Sequence, residues 1–240
     1  MEEALRRQLE GASTPAKKAS EVVTASGAVL HVVNTDTYSG ITAGTPENTF
    51  CKAAVQIIMS VVELRDAYTA RHMRRVSEMS CAIAGYMGLS TERIDGLHMA
   101  SLVHDIGKIS VPADILCKPT RLSEPEYALI KMHSFAGYQI LKDIETPWPL
   151  ARIVLEHHER INGTGYPNGK HGEDILLESR ILSVADVVDA IMSHRPYRPS
   201  LGMPAAISEL KYHRGSLYDD DVVEACLMVI QEECPIAPDC

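Results

Sequence analysis

Six residues able to hold metal fall in short blocks between residues 104 and 186: His104-Asp105, His133, His157-His158 and Asp186. Imidazole nitrogens and carboxylate oxygens with no thiolate among them suit iron, manganese or a similar ion. Several such ions close together make a hydrolase that attacks phosphorus. His104 and Asp105 are neighbours, about 100° apart on a helix, so both reach one centre only if metal lies between their sectors. A carboxylate has two oxygens and can bridge two ions, which an imidazole cannot. Lys108, one turn after His104, can set an ammonium beside a phosphate. His157-His158 runs into a glycine loop ending Gly163-Thr164-Gly165-Tyr166-Pro167. Its glycines allow close backbone approach and its proline stiffens the exit. Asp186 stands inside the apolar run Ile181–Val188, where a carboxylate is costly unless paired or metal-bound. Arg195 and Arg198 flank Pro196-Tyr197 and offer guanidinium forks that suit phosphate. Taken singly, each has a plainer reading. His133 alone is more often a core or surface histidine, and the Arg195–Arg198 stretch a solvated basic turn.

These residues need a scaffold, and the pattern after residue 48 is helical. Val55, Ile58, Met59 and Val62 share one face of a helix over Lys52–Ala67. A second helix is expected over Ala70–Met87, ending at Gly88. A third, capped by Ser90 or Thr91, runs to about Gly107, with Leu97, Ser101, His104 and Lys108 along one face. Ser110–Leu122 reads as a loop. Ser123-Glu124-Pro125-Glu126 is a capping-box pattern opening the helix that carries His133. Pro147 and Pro149 start the helix that ends at His157-His158. Further helices are expected over Glu178–Met192, Pro204–His213 and Asp219–Glu232. No period-2 alternation strong enough for a sheet follows residue 48, so the fold class is all-α.

Composition narrows the function. The chain has 240 residues, 45% hydrophobic and 5% aromatic, with net charge −9. That charge argues against DNA or general nucleic-acid binding, and an anionic substrate must be drawn by local charge. The six cysteines include no Cys-x-x-Cys pair, which disfavours a zinc ribbon and fits a reducing, cytoplasmic setting. No signal peptide or membrane span is read. Residues 1–47 read differently, as an extension, linker or partial accessory segment before a domain over 48–240. It has a charged helix candidate at 2–9, a hairpin candidate in Val22–Val33 and a polar linker from Asn34 to Asn48.

Together the blocks resemble the HD-GYP family, a branch of the HD-superfamily phosphohydrolases. The likeness runs over roughly residues 50–230, from Val62–Val76 through His104-Asp105-Ile106-Gly107-Lys108, Leu116–Pro119, His133, His157–Pro167 and Ser179–Leu182 to Asp186, Asp189-Ala190 and Arg195–Arg198. The resemblance implies a helical bundle of the HD-superfamily type that hydrolyses cyclic di-GMP to pGpG, and often on to GMP, and so lowers a bacterial second messenger. It implies His72, His104, Asp105, His133, His157, His158 and Asp186 as metal ligands, Asp105 bridging. Asp105 and Lys108 become the catalytic pair, with Lys108, Tyr166, Arg195 and Arg198 on the substrate. Members with a third ion carry Glu one turn before the first ligand histidine. Here that residue is Tyr68, so the expected cofactor is two divalent ions, iron or manganese. Asn162 replaces a usual Asp, which keeps the turn preference and loses a charge.

Expected partners are the cyclic dinucleotide and signalling proteins such as a diguanylate cyclase, with room for a homodimer. The rivals are an enzyme of the same fold acting on another cyclic dinucleotide such as cyclic GMP-AMP, and a non-catalytic module binding the messenger or a cyclase. A structural zinc protein fits poorly, because the set has no Cys.

Overall fold

The computed structural model describes residues 20–23, 29–32, 46–194 and 199–233. The helix expected at 2–9 and the pair Arg195 and Arg198 lie outside them, as does Tyr197. The chain divides into two units, Met1–Gly40 and Ile41–Cys240. In the first, β1 (Ser20–Val23) pairs antiparallel with β2 (Val29–Val32), Ser20 opposite Val32 and Val23 opposite Val29. This pairing agrees with the hairpin candidate in Val22–Val33, with the first strand beginning two residues earlier.

The second unit is helical, as the periodicity predicts. Its order is α1 (Pro46–Arg65), α2 (Ala67–Tyr86), α3 (Thr91–Val103), a 3₁₀ turn (Ile106–Ser110), α4 (Ala113–Leu116), α5 (Glu124–Leu141), α6 (Leu150–Glu156), a 3₁₀ turn (Gly172–Asp174), α7 (Leu177–Met192), α8 (Met203–His213) and α9 (Asp220–Glu233). α2 packs on α3 and α7, while α5 packs on α6 and on the first 3₁₀ turn. The core between them is aliphatic, as the scarcity of aromatics requires. Met73, Ile83, Leu97, Ile181 and Leu182 are fully buried, each contributing about 1.5–3 kcal/mol. No described helix is long and apolar enough to cross a membrane.

Local chemistry sets the boundaries. Asp66 starts α2 three residues before the expected point. Its side chain accepts hydrogen bonds from the Tyr68 and Thr69 amides at 2.9 and 3.1 Å, a normal N-cap. Ser90 is the cap of α3. At α5 the Ser123 amide donates to Glu126 Oε2 at 2.7 Å, closing the capping box. Within the stretch read as a loop, Ala113–Leu116 forms a short helix.

The larger correction is at α3. It ends at Val103, and His104 is its C-cap rather than an interior residue. The His104 Nδ1–H takes the Ser101 carbonyl at 2.7 Å, and the backbone tightens to 3₁₀, with the Lys108 amide donating to the Asp105 carbonyl at 2.9 Å. Lys108 is thus on the 3₁₀ turn, off the helical face the sequence suggested. Arg65 ties that turn to the end of α1, donating to the Ile109 and Val111 carbonyls at 2.6 and 3.2 Å.

Candidate metal centre

Five helices bring these side chains together. His72 comes from α2, His104 and Asp105 from the end of α3, His133 from α5, His157 and His158 from the end of α6, and Asp186 from α7. Two pockets result, His72/His104/Asp186 and His133/His157/His158, with His104/Asp105/His157 between them; within each group the ligand atoms lie within 4.8 Å of one another. All of these residues are buried except His158, which is partly so.

Asp105 stands between the pockets and presents one oxygen to each. Its Oδ2 is 3.6 Å from His72 Nε2 and 3.5 Å from His104 Nε2, whereas Oδ1 is 3.4 Å from His133 Nε2. Asp186 places Oδ1 3.1 Å from His72 Nε2 and Oδ2 4.0 Å from His158 Nδ1. The Lys108 ammonium sits 2.6 Å from Asp105 Oδ2.

The imidazoles are oriented by their far nitrogens. His104, His133 and His157 each donate Nδ1–H to the carbonyl three residues back, Ser101, Ile130 and Val154, at 2.6–2.7 Å. That contact requires the proton on Nδ1 and leaves a lone pair on Nε2. His133 Nε2 and His157 Nε2 then face each other at 3.2 Å, two acceptors with no donor between them. His104 Nε2 is buried without a hydrogen-bond partner. Lone pairs converging beside carboxylate oxygens in a buried site suit a cation, and His/Asp donors fit a divalent transition ion. The residues therefore fit the metal the sequence implies.

Electrostatics agree. Burial, reinforced by the adjoining imidazoles, holds His157 and His158 well below the ordinary histidine range, and burial also lowers His104 and His133. Neutral imidazole is the ligating form. Burial opposes the charge of Asp105, but Lys108 and the surrounding histidines outweigh it and keep its pKa well below the carboxylate range. Burial also opposes charge on His72, yet hydrogen bonds to Asp186 and Asp189 raise its pKa to about 9.

The sequence motifs contain Arg75 and Asp189 but assign neither a role. Asp189 Oδ2 accepts from His72 Nδ1–H at 2.6 Å, and Arg75 holds the same carboxylate from Nε and Nη2 at 2.6 and 3.0 Å. A carboxylate behind a ligating histidine fixes its tautomer and raises its basicity. The usable signal was the Asp186/Asp189 spacing of three within an apolar helix.

Two further carboxylates shape the glycine loop. Glu159, 3% exposed, accepts from the Asn168 and Lys170 amides at 2.7 and 3.0 Å. Glu156 accepts from Arg152, the Lys170 ammonium and the Leu176 amide. A Cβ at Gly165 would stand 2.4 Å from the Arg160 nitrogen, and Gly163 has φ +79°, so this loop needs glycine at both places. The Tyr166 ring lies over His158, centroids 4.8 Å apart, and forms a wall of the second pocket. Asn162 completes a side-chain turn, its Oδ1 accepting from the Thr164 amide and hydroxyl at 3.1 and 2.7 Å.

Residues 53–222 match the family model of the HD domain. The cyclic di-GMP phosphodiesterase response regulator RpfG of Xanthomonas campestris is 42% identical over 168 residues, 69% of this chain and 44% of that protein. The 3'3'-cGAMP-specific phosphodiesterase 3 of Vibrio cholerae is 32% identical over 193 residues, 80% of this chain and 41% of that protein. The chain thus spans less than half the length of these curated relatives. Among solved structures, Bd1817 of Bdellovibrio bacteriovorus, described as an HDG"Y"P protein, superposes with a TM-score of 0.59 at 22% identity, covering 77% of this chain and 62% of that one. With its motifs and helical arrangement, the match makes this chain a member of the HD-domain family.

Proposed function

We propose that this domain is a metal-dependent phosphodiesterase that opens cyclic di-GMP to pGpG and carries some of it on to GMP. The observation that carries the reading is Asp105, whose two oxygens face two separate histidine pockets. His72, His104 and Asp186 would hold one ion and His133, His157 and His158 the other, with Asp105 shared. Tyr68, four residues before His72, supplies no carboxylate, which favours two ions over three. The donor set favours iron or manganese. Bound there, the ions supply Lewis acidity and a water acidified toward neutral pH.

The chain's own residues do the rest. Asp105 stays ionised, because Lys108 compensates its charge at 2.6 Å. The Lys108 ammonium has N–H bonds to spare for a non-bridging phosphate oxygen, where negative charge grows during attack. Asp189 and the Ser101, Ile130 and Val154 carbonyls keep the Nε2 atoms of His72, His104, His133 and His157 aimed at the centre. Arg195 and Arg198 are assigned to the dinucleotide's phosphates by their motif position. The likeness to a cGAMP-specific relative favours a second reading in which cyclic GMP-AMP is the better substrate.

The test is anaerobic purification, metal analysis, and incubation with both dinucleotides, products followed by chromatography. About two iron or manganese ions per chain and conversion of cyclic di-GMP are expected. His104→Ala and Asp105→Ala should each remove metal and activity together, and full activity in either variant refutes the scheme. Faster turnover of cyclic GMP-AMP moves the answer to the second reading. Tight binding with no turnover of either points to a receptor.

A further inference from the structure

Lys131 lies on α5, two residues before His133, and its neighbours are unusual for a lysine. Lys108, Lys118 and Lys170 each sit on a carboxylate at 2.6–2.7 Å. Among the described residues Lys131 has no such partner. Its ammonium instead faces two phenol rings, 5.2 Å from the Tyr127 centroid and 5.8 Å from the Tyr166 centroid. Tyr166 in turn covers His158, so the ammonium is one ring away from the metal pocket. Tyr127, one helical turn before Lys131, is 50% exposed. An unpaired cation and an open aromatic face therefore stand side by side at the mouth of the site, in a chain of net charge −9.

Two ligand chemistries could use a cation there, and the rings choose between them. A phosphate would gain the ammonium but meet the negative faces of both phenols. A nucleobase gains both, because any base can stack on an aromatic ring while its edge accepts from the ammonium. Guanine presents O6 and N7 as adjacent acceptors, to which lysine donates. Adenine places an amine where O6 would be, and an ammonium gains less from it.

We propose that Tyr127 and Lys131 form a base subsite that selects guanine over adenine, the ring by stacking and the ammonium by donating to O6 and N7. This rests on the dinucleotide phosphodiesterase reading and adds to it the residues that read a base.

The test measures binding to the metal-loaded full chain of phosphorothioate analogues of cyclic di-GMP and cyclic di-AMP, which resist hydrolysis. The parent should bind the guanine analogue more tightly. Lys131→Gln should weaken that binding by about tenfold and narrow the preference by the same factor. Lys131→Arg should keep the preference, since a guanidinium donates to the same two atoms, and Tyr127→Ala should weaken both analogues. An unchanged preference in Lys131→Gln, equal weakening of both analogues in it, or no binding of either by the parent overturns the proposal. Turnover of bis(p-nitrophenyl) phosphate by the parent, a diester without bases, tests the phosphodiesterase reading separately. Selective binding without that turnover would sink the reading and leave the guanine subsite standing.

Discussion

Replacing Asp189 by Asn tests how the first pocket is held. The substitution keeps size and shape but halves the acceptors. In the parent, Asp189 accepts from His72 Nδ1, from Arg75 Nε and Nη2, and from the Ser193 hydroxyl at 3.1 Å. An asparagine has one acceptor oxygen, and Arg75, which can only donate, takes it. The amide NH2 is then turned toward His72 and pairs with a lone pair on Nδ1. That selects the tautomer with its proton on Nε2, the nitrogen facing Asp105 and Asp186 at 3.6 and 3.1 Å. His72 would be lost as a ligand rather than merely loosened. Changes behind a ligand usually cost 10–100-fold in metal affinity. A flipped tautomer belongs at the upper end, about 100-fold or 2.7 kcal/mol. The assay is Mn(II) titration of the chelated chain against a competing chelator, read as two binding steps. Only the step belonging to His72, His104 and Asp186 should weaken, while that of His133, His157 and His158 changes little. Equal weakening of both steps, or no change in either, would refute the reasoning.

Other perturbations address the scaffold. In Gly107→Ala the new Cβ would lie 1.8 Å from the His133 carbonyl oxygen and 2.6 Å from the Gly137 nitrogen. The clash should cost at the upper end of about 1–3 kcal/mol and lower metal content by displacing α5; a urea midpoint equal to the parent's would contradict this. Glu159→Ala takes the carboxylate acceptor from the Asn168 and Lys170 amides, hydrogen bonds to a charged group worth about 1.5–3 kcal/mol each, and those amides should exchange faster with deuterium; unchanged protection would sink the claim. Asn162→Asp keeps both Thr164 contacts, so stability should move by no more than about 0.5 kcal/mol, with metal content unaltered by elemental analysis. In the chelated chain, His104, His133, His157 and His158 lie below 6.5 when folded. The unfolded chain therefore binds their protons first, and stability falls as pH drops below about 6.5, by up to about 1.4 kcal/mol per pH unit for each. His72, raised to about 9, has the opposite sign: its contribution is complete below 6.5 and is lost as pH rises through about 9. Thermal melts should peak near pH 6.5, and stability that climbs from pH 6.5 to 5 would show the signs to be wrong.

The parts of this site legible in the sequence are those whose signal is local. Paired motifs such as His104-Asp105 and His157-His158, the capping box at Ser123, and an Asp inside the apolar run of α7 announce themselves within a few residues. The end of α3 was not legible, because no glycine or proline stands between Gly96 and Gly107. The helix stops at Val103 as the His104 ring captures the Ser101 carbonyl, a competition that propensity does not register. Arg75 was missed for another reason. Its meaning comes from Asp189, 114 residues away, and helical periodicity reports which face a residue occupies but not what lies opposite. Lys131 and Tyr127 look like an ordinary exposed i, i+4 pair until Tyr166 is placed beside them.

The same distinction between local and distant support sets His72 apart from His104, His133 and His157. In His104, His133 and His157 the orienting acceptor is a carbonyl three residues back in the same segment. Those rings are aimed once their own helix forms, and at the ends of α3 and α6 they use carbonyls that a helix terminus leaves unpaired. His72 is aimed by Asp189 across the α2–α7 interface, and Asp189 is held by Arg75 from α2. Its geometry exists only while α2 and α7 are packed together. A small shift between these helices breaks a 2.6 Å contact and leaves the carbonyl-locked rings untouched. A perturbation of that interface should therefore register first as weaker metal binding at His72, His104 and Asp186, with the His133, His157 and His158 pocket last to respond.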